Sequence, residues 1–168
     1  MKIHFVSYGH VFRSRLAEAY LRFLLRKQLG YQVSSSGIKY DKSVHGPIAW
    51  YAMKILSDHQ LTGFMADVPV VTTKDLLDSQ DLVIFLDDFS KEYCERHFGF
   101  RIGFHNRTAE VWNMEYIPVT PEEHAPGKVN TEKDAYLIYL SEHIFKEIQK
   151  CCSRLADELN FADVPFKE

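Results

Sequence analysis

Apolar residues recur along the chain in two rhythms. Short runs rich in β-branched and aromatic residues, Ile3 to Val6, Tyr31 to Ser35 and Asp81 to Leu86, predict buried strands. Longer stretches repeat at three- and four-residue steps and predict helices. From Arg13 to Leu29, the residues Leu16, Ala17, Tyr20, Leu21, Leu24 and Leu25 form a wide apolar face. Arg15, Glu18, Arg22 and Arg26 mark a thin solvated stripe, and Gly30 is the expected C-cap. A second helix is expected from Pro47 to Leu56, with Pro47 in its first turn. Thr72 or Thr73 caps a short helix through Ser79, and Ser90 caps another to about Phe98. Phe100 to Phe104 and Val111 to Pro118 predict further strand, whereas Pro118, Pro121, Pro126 and Gly127 make the stretch up to Asn130 irregular. A long last helix starts at Thr131, with Asp134 completing an approximate capping box, and carries Leu137, Leu140, Ile144, Ile148, Cys151 or Cys152, Leu155 and Leu159 at helical steps.

Strands alternating with helices predict an α/β fold, a parallel sheet covered on both faces and wound by right-handed crossovers. Ligands in such folds gather at the carboxyl ends of the strands, and the first such end is the loop from Ser7 to Ser14. No internal repeat or low-complexity tract divides the 168 residues, so one domain spanning 1–168 is expected.

Composition narrows the partners. A net charge of −3 gives no electrostatic reason for nucleic acid or an anionic membrane surface. No apolar run approaches the ~20 residues that span a bilayer. Met1-Lys2-Ile3-His4-Phe5 enters a strand at once, leaving no room for a signal peptide, so a cytoplasmic setting is expected. Three cysteines, Cys94, Cys151 and Cys152, fit a reduced compartment and read as buried structural residues. The eight histidines show no paired ligand spacing on a helix face, so neither metal nor cofactor is expected.

The candidate chemistry lies in Ser7-Tyr8-Gly9-His10-Val11-Phe12-Arg13-Ser14. Successive backbone N–H groups in a tight strand-to-helix turn form an anion nest, and the free N–H groups and dipole of the helix start reinforce it. Gly9 is expected to supply the unusual backbone angles, and Arg13 a planar fork for two phosphate oxygens. On spacing alone an ordinary turn with a surface arginine explains the loop equally well.

The stretch from Phe5 through Ala19, with its strand, Ser7-x5-Arg13-Ser14 loop and Ala17-Glu18 helix, resembles the signature of the low-molecular-weight protein tyrosine phosphatases. That signature reads Cys-x5-Arg-Ser followed by an Ala-Glu helix. Ser35-Ser36-Gly37 resembles the Ser-Ala-Gly ending the family's second strand, and Asp81 through Asp87 its Asp-Leu-Ile-x-x-Met-Asp strand. The cysteine-containing last helix also fits, so the resemblance covers most of the chain up to about Leu159. It implies a three-layer α/β/α, Rossmann-like fold with a four-stranded parallel sheet. It further implies a site in which Tyr8, Gly9, His10, Val11, Phe12 and Arg13 bind phosphate. Tyr8 and Tyr40 either line an aromatic-walled cleft of the family's kind or simply pack, and Phe12 and Trp50 are weaker candidates.

Three departures bear on function. Ser7 stands at the family's nucleophilic cysteine, His10 replaces its loop asparagine, and the Asp-Pro general acid is missing, since no aspartate occurs between Asp88 and Asp134. Glu115, Glu122 and Glu123 are weak substitutes. A serine hydroxyl stays protonated where a thiol would ionise, and needs a base. His10 is the loop candidate, but an anion nest is expected to favour imidazolium, which cannot accept a proton. Ser14 either hydrogen-bonds Ser7 or the loop backbone, or caps a helix N–H.

The expectation is therefore a phosphatase-like protein, monomeric or weakly dimeric, that binds phosphate, a phosphorylated protein or a small phosphate monoester with little turnover. Two alternatives stand beside it. One is an active phosphatase whose nucleophile has been substituted, and the other is an interaction scaffold whose loop holds no ligand.

Overall fold

The computed structural model describes residues 1–41, 46–103, 108–117 and 131–162. Strands β1 (Lys2–Ser7), β2 (Gln32–Gly37), β3 (Leu82–Phe85) and β4 (Thr108–Val111) form one sheet in the order β2-β1-β3-β4, every pair parallel. The helices are α1 (Arg13–Leu24), α2 (Trp50–Asp58), α3 (Lys74–Asp78), α4 (Asp88–Phe98) and α5 (Thr131–Ala162).

The period-two alternation of the central strands builds a separate core on each face. Ile3 and Phe5 of β1 and Leu82 and Ile84 of β3 join Leu16, Leu21, Ile55, Leu56, Phe145 and Ile148 from α1, α2 and α5. Val6, Val83 and Phe85 face the other way, onto Leu77 of α3, Cys94 of α4 and Phe100. A fully buried leucine or phenylalanine contributes roughly 1.5–3 kcal/mol, so these two cores hold the helices to the sheet.

The order places β1 between β2 and β3, so the chain leaves β1 in one direction and later returns on its other side. A crevice opens at the carboxyl ends of β1 and β3, where this reversal lies. Ser7 ends β1 there, and Leu86 and Asp87 follow β3 beside it, with the Leu86 amide donating to the Val6 carbonyl at 2.9 Å.

Several local expectations need correction. Helix α1 stops at Leu24 with Leu25 as its C-cap, five residues short of Leu29, and Gly30 (φ +102°) turns the chain toward β2 instead. The stripe is solvated only toward its C-terminal end: Arg26 is exposed and Arg22 half-buried, but Arg15 and Glu18 are each only 1% exposed, because that side packs against Ser35 and the Phe64–Ala66 segment. Glu18 ion-pairs with Arg22 at 2.7 Å and accepts from Ser35 Oγ, so the charges are internalised by pairing. Helix α2 begins at Trp50 rather than in the Pro47 turn. Asp87, not Ser90, caps α4, accepting the Ser90 amide at 2.7 Å, and Thr73 caps α3. The strand expected at Phe100 to Phe104 is absent among the described residues, and β4 ends at Val111, so residues 112–117 are irregular. Pro118 and the Pro121 to Asn130 stretch lie outside the described residues.

Among the described residues no helix is long and apolar enough to cross a membrane. All three cysteines are free. Cys94 and Cys152 are buried, as expected, and burial pushes the Cys94 thiol up to about 12, while Cys151 is half-buried.

Candidate phosphate-binding site

The loop from Ser7 to Phe12 is pinned from below. Ile38 and Lys39 amides donate to the Ser7 and Tyr8 carbonyls at 3.0 and 2.9 Å, and the Ala49 amide donates to the Val11 carbonyl at 3.0 Å. Three of the loop's carbonyls are thus engaged at the base, and among the described residues no backbone acceptor takes the amides of Gly9 through Phe12. Helix α1 starts with Phe12 as N-cap and no side-chain cap, leaving its first N–H groups for a ligand.

The left-handed residue of the loop is His10 (φ +54°), not Gly9 as expected. The glycine that matters for close approach is Gly37 at the end of β2: a Cβ there would stand 2.6 Å from His10 Cβ and 2.9 Å from His10 N. Beneath it, His4 is fully buried and its ring nitrogens lie 2.7 Å from Ser34 Oγ and Ser36 Oγ, with Ser36 Oγ 2.7 Å from Thr72 Oγ1. This network fastens β1 to β2 directly under the loop.

Ser7, His10, Arg13 and Ser14 come together, each less than a tenth exposed. Ser7 Oγ lies 2.7 Å from Ser14 Oγ, which in turn lies 3.0 Å from His10 Nδ1. Of the two readings of Ser14, the structure selects the bond to Ser7. Burial, with the charge of nearby Arg15, pushes His10 down to about 3, so the expected imidazolium is instead a neutral imidazole.

Arg13 reaches across the crevice. Its NH1 donates to the Met114 carbonyl at 3.0 Å and to the Leu86 carbonyl at 3.4 Å, and its NH2 pairs with Asp87 Oδ2 at 2.7 Å. A guanidinium has five N–H groups, so the Nε edge with the second NH2 hydrogen remains as a side-on fork for an oxyanion. Tyr8, Arg13, Asp87, Phe89, Met114 and Tyr116 line a cleft of about 450 Å³. Tyr8 and Phe89 have ring centroids 5.8 Å apart, and the Tyr116 ring lies 5.6 Å from the Arg13 guanidinium carbon.

Of the aromatic candidates, Tyr8 lines this cleft. Tyr40 instead packs edge-on against His10 and donates to the Gly46 carbonyl, Phe12 packs against Tyr51, and Trp50 lies against the main core. Glu115 lines a different cleft with Trp112, His143 and Cys151, one whose lining does not include Arg13, while Glu122 and Glu123 fall outside the described residues. Asp87, Phe89, Met114 and Tyr116 were not singled out by sequence. Asp87 carried a readable signal, since it closes the β3 motif, but the other three reach the site only through the crossover geometry.

A parallel-sheet crevice holding a strand–loop–helix anion nest with an arginine at the helix start defines a phosphate-recognising α/β protein of the phosphatase type. The family model described as low molecular weight phosphotyrosine protein phosphatase matches residues 2–163, and the chain belongs to this family. No curated protein matches. Among solved structures, YwlE from Bacillus subtilis, in a mutant form, is 22% identical with a TM-score of 0.69, covering 95% of this chain and 99% of its own. A YwlE arginine phosphatase mutant with a phosphorylated active site serine is 23% identical with a TM-score of 0.69, covering 95% of this chain and 96% of its own. A low molecular weight phosphotyrosine phosphatase from Vibrio cholerae O395 is 17% identical with a TM-score of 0.70, covering 98% of this chain and 99% of its own. These likenesses share the fold: a four-stranded parallel sheet layered between helices, as the resemblance implied.

Proposed function

We propose that the protein binds phosphate monoesters in the Ser7 to Ser14 loop and turns them over weakly at most. Tyr8, Gly9, His10, Val11 and Phe12 supply backbone N–H groups, Arg13 its remaining edge, and Ser7 stands at the floor where the family's nucleophile would be. The observation that carries this reading is an uncapped start of α1 that carries a tethered Arg13 and, at Ser14, touches the buried Ser7 hydroxyl. The matching YwlE mutant with a phosphorylated active site serine supports the view that a serine-bearing site of this fold accommodates a phosphoryl group.

Weak turnover follows from two absences of function. Ser7 has no charged form at neutral pH, and the carboxylate nearest Arg13, Asp87, is engaged by Arg13 and by the Ser90 amide, so it is placed as an acceptor and not as an acid. The walls of Tyr8, Phe89 and Tyr116 favour an aromatic substituent such as phosphotyrosine, on a peptide or as a small molecule. We read residues 1–168 as one domain acting in a cytoplasmic setting. Calorimetry with inorganic phosphate and with phosphotyrosine tests the proposal: both bind the native chain and neither binds Arg13→Ala. No heat even at millimolar ligand would overturn it in favour of a scaffold with an empty loop.

A further inference from the structure

A row of rings leads away from the mouth of the phosphate cleft across α4. Tyr8 follows β1, Lys39 follows β2, and Phe89 and Tyr93 stand one turn apart on the helix. The ring centroids of Tyr8 and Phe89 are 5.8 Å apart, those of Phe89 and Tyr93 6.5 Å, and Lys39 Nζ lies 4.8 Å from the Tyr93 ring centroid. The Lys39 amide donates to the Tyr8 carbonyl at 2.9 Å and so ties the row back to the loop. His97 continues it, its ring 4.2 Å from that of Tyr93.

The row is open to solvent: Phe89 is 56% exposed and Tyr8 38%, and Lys39 and His97 are exposed. Ring contacts four residues apart support a helix, which accounts for Tyr93 between Phe89 and His97. They do not account for a half-bare phenylalanine at the cleft mouth, met there by a tyrosine from a second element and a lysine from a third. Contiguous exposed apolar surface of this kind marks an interaction site. A small phosphate ester is accommodated within the cleft of about 450 Å³. From Phe89 to His97 the row runs on for about 12 Å at the rise of a helix, the reach of roughly four residues of extended chain.

Charge gives the row a direction. Lys91 pairs with Glu95 and Arg96 with Glu92, whereas Lys39 makes a ring contact and no ion pair among the described residues. At the cleft end Asp87 is held by Arg13, and Asp88 follows it as the exposed first residue of α4. The row is therefore acidic beside the phosphate site and basic at Tyr93. Resting on the proposed phosphate site, we propose that this row docks the polypeptide that carries the phosphate: with phosphotyrosine in the cleft, its neighbours lie along Phe89 and Tyr93, and an acidic side chain about two to four positions away meets Lys39. The partner is a phosphorylated polypeptide, and Lys39 with the α4 rings sets its selectivity. Flat, stiff rings cover an extended chain at little entropic cost, and a lysine stem laid on Tyr93 holds its ammonium group at the surface.

Calorimetry on the full chain tests this with heptapeptides that carry a central phosphotyrosine flanked by leucine, with glutamate or lysine three positions before or after it. N-acetyl phosphotyrosine amide is the reference. At roughly 50 mM salt the better glutamate peptide should bind at least about fivefold more tightly than the reference, and about three- to tenfold more tightly than its lysine counterpart. In Lys39→Glu that preference should reverse. The ratio of the two peptides within one variant is the readout, so a change in phosphate affinity itself cancels. If inorganic phosphate and the reference bind but no peptide binds more tightly than the reference, this inference falls and the phosphate site stands. The same holds if glutamate and lysine peptides bind alike, or if the glutamate preference survives in Lys39→Glu. If phosphate does not bind, both fall. Should Lys39→Glu fail to fold, the native chain at roughly 500 mM salt decides: the preference has to shrink toward unity, and an undiminished one removes Lys39 from the surface.

Discussion

Arg13 and Asp87 meet at 2.7 Å across the crevice between β1 and β3, and the same guanidinium is tied to the Met114 and Leu86 carbonyls. The carboxylate sets the charge beside the nest while the carbonyls set the orientation. In Asp87→Asn the two carbonyls still hold the guanidinium and the amide still caps α4, but a negative charge beside the bound anion is gone. Phosphate should bind several-fold more tightly, up to about tenfold at low salt, with the gain fading as salt screens it. Calorimetry at two ionic strengths checks this, and weaker binding would show that Asp87 orients Arg13.

Placing a thiol at position 7 separates the contribution of that one group from the working shape of the loop. In Ser7→Cys, Arg13, the loop amides and the helix start all favour the thiolate, so its pKa should fall well below the ordinary cysteine value near ~8.5. Iodoacetate should label it quickly at mildly acidic pH. Hydrolysis of a nitrophenyl phosphate should appear, and that of phosphotyrosine should lag by about 10²- to 10⁴-fold for want of an acid. An unreactive thiol of ordinary pKa and no activity on either substrate would mean that the nest does not function.

Gly37→Ala should damage the loop without touching any of its residues. The added methyl would meet His10 Cβ at 2.6 Å and His10 N at 2.9 Å, and backbone cannot yield as a flexible side chain does. A loss of about 1–3 kcal/mol is expected in urea unfolding, with phosphate affinity falling in parallel. Unchanged affinity at reduced stability would show that the loop shape does not depend on its seat against β2.

Two buried histidines make the fold acid-sensitive. His4 is pushed down to about 4 and His10 to about 3, in each case chiefly by burial. Their folded values lie below the unfolded value near ~6.5, so the unfolded chain binds protons more readily. Their contribution is complete above that value and is lost as pH falls toward 4 and then 3, on the order of a few kcal/mol in sum. Glu18, raised by burial, acts in the opposite sense and offsets part of the loss. Urea midpoints at pH 7.5 and 4.5 should differ accordingly, and His4→Gln should flatten the difference.

The sequence by itself determined the layout: strands and helices alternate, the β1 and β3 runs are apolar enough to lie inside, and the Ser7 to Ser14 loop stands at a strand's carboxyl end. These follow from local periodicity and from residue types whose preference is intrinsic. Tertiary structure decided what depends on neighbours distant in sequence. Arg15 and Glu18 occupy polar positions of a helical repeat yet lie buried, because Ser35, Phe64 and Ala66 close over that face, and a repeat cannot report what covers it. The partners of Arg13 lie 73 to 101 residues away, brought in by the crossover that sets β3 beside β1. His10 is the clearest case: its chemical type suggested a charged group in an anion nest, and only the burial imposed by Gly37, Tyr40 and Ser14 around it makes it a neutral partner of the serine pair. Protonation depends on desolvation, and desolvation is a property of the packed interior that no stretch of chain carries alone.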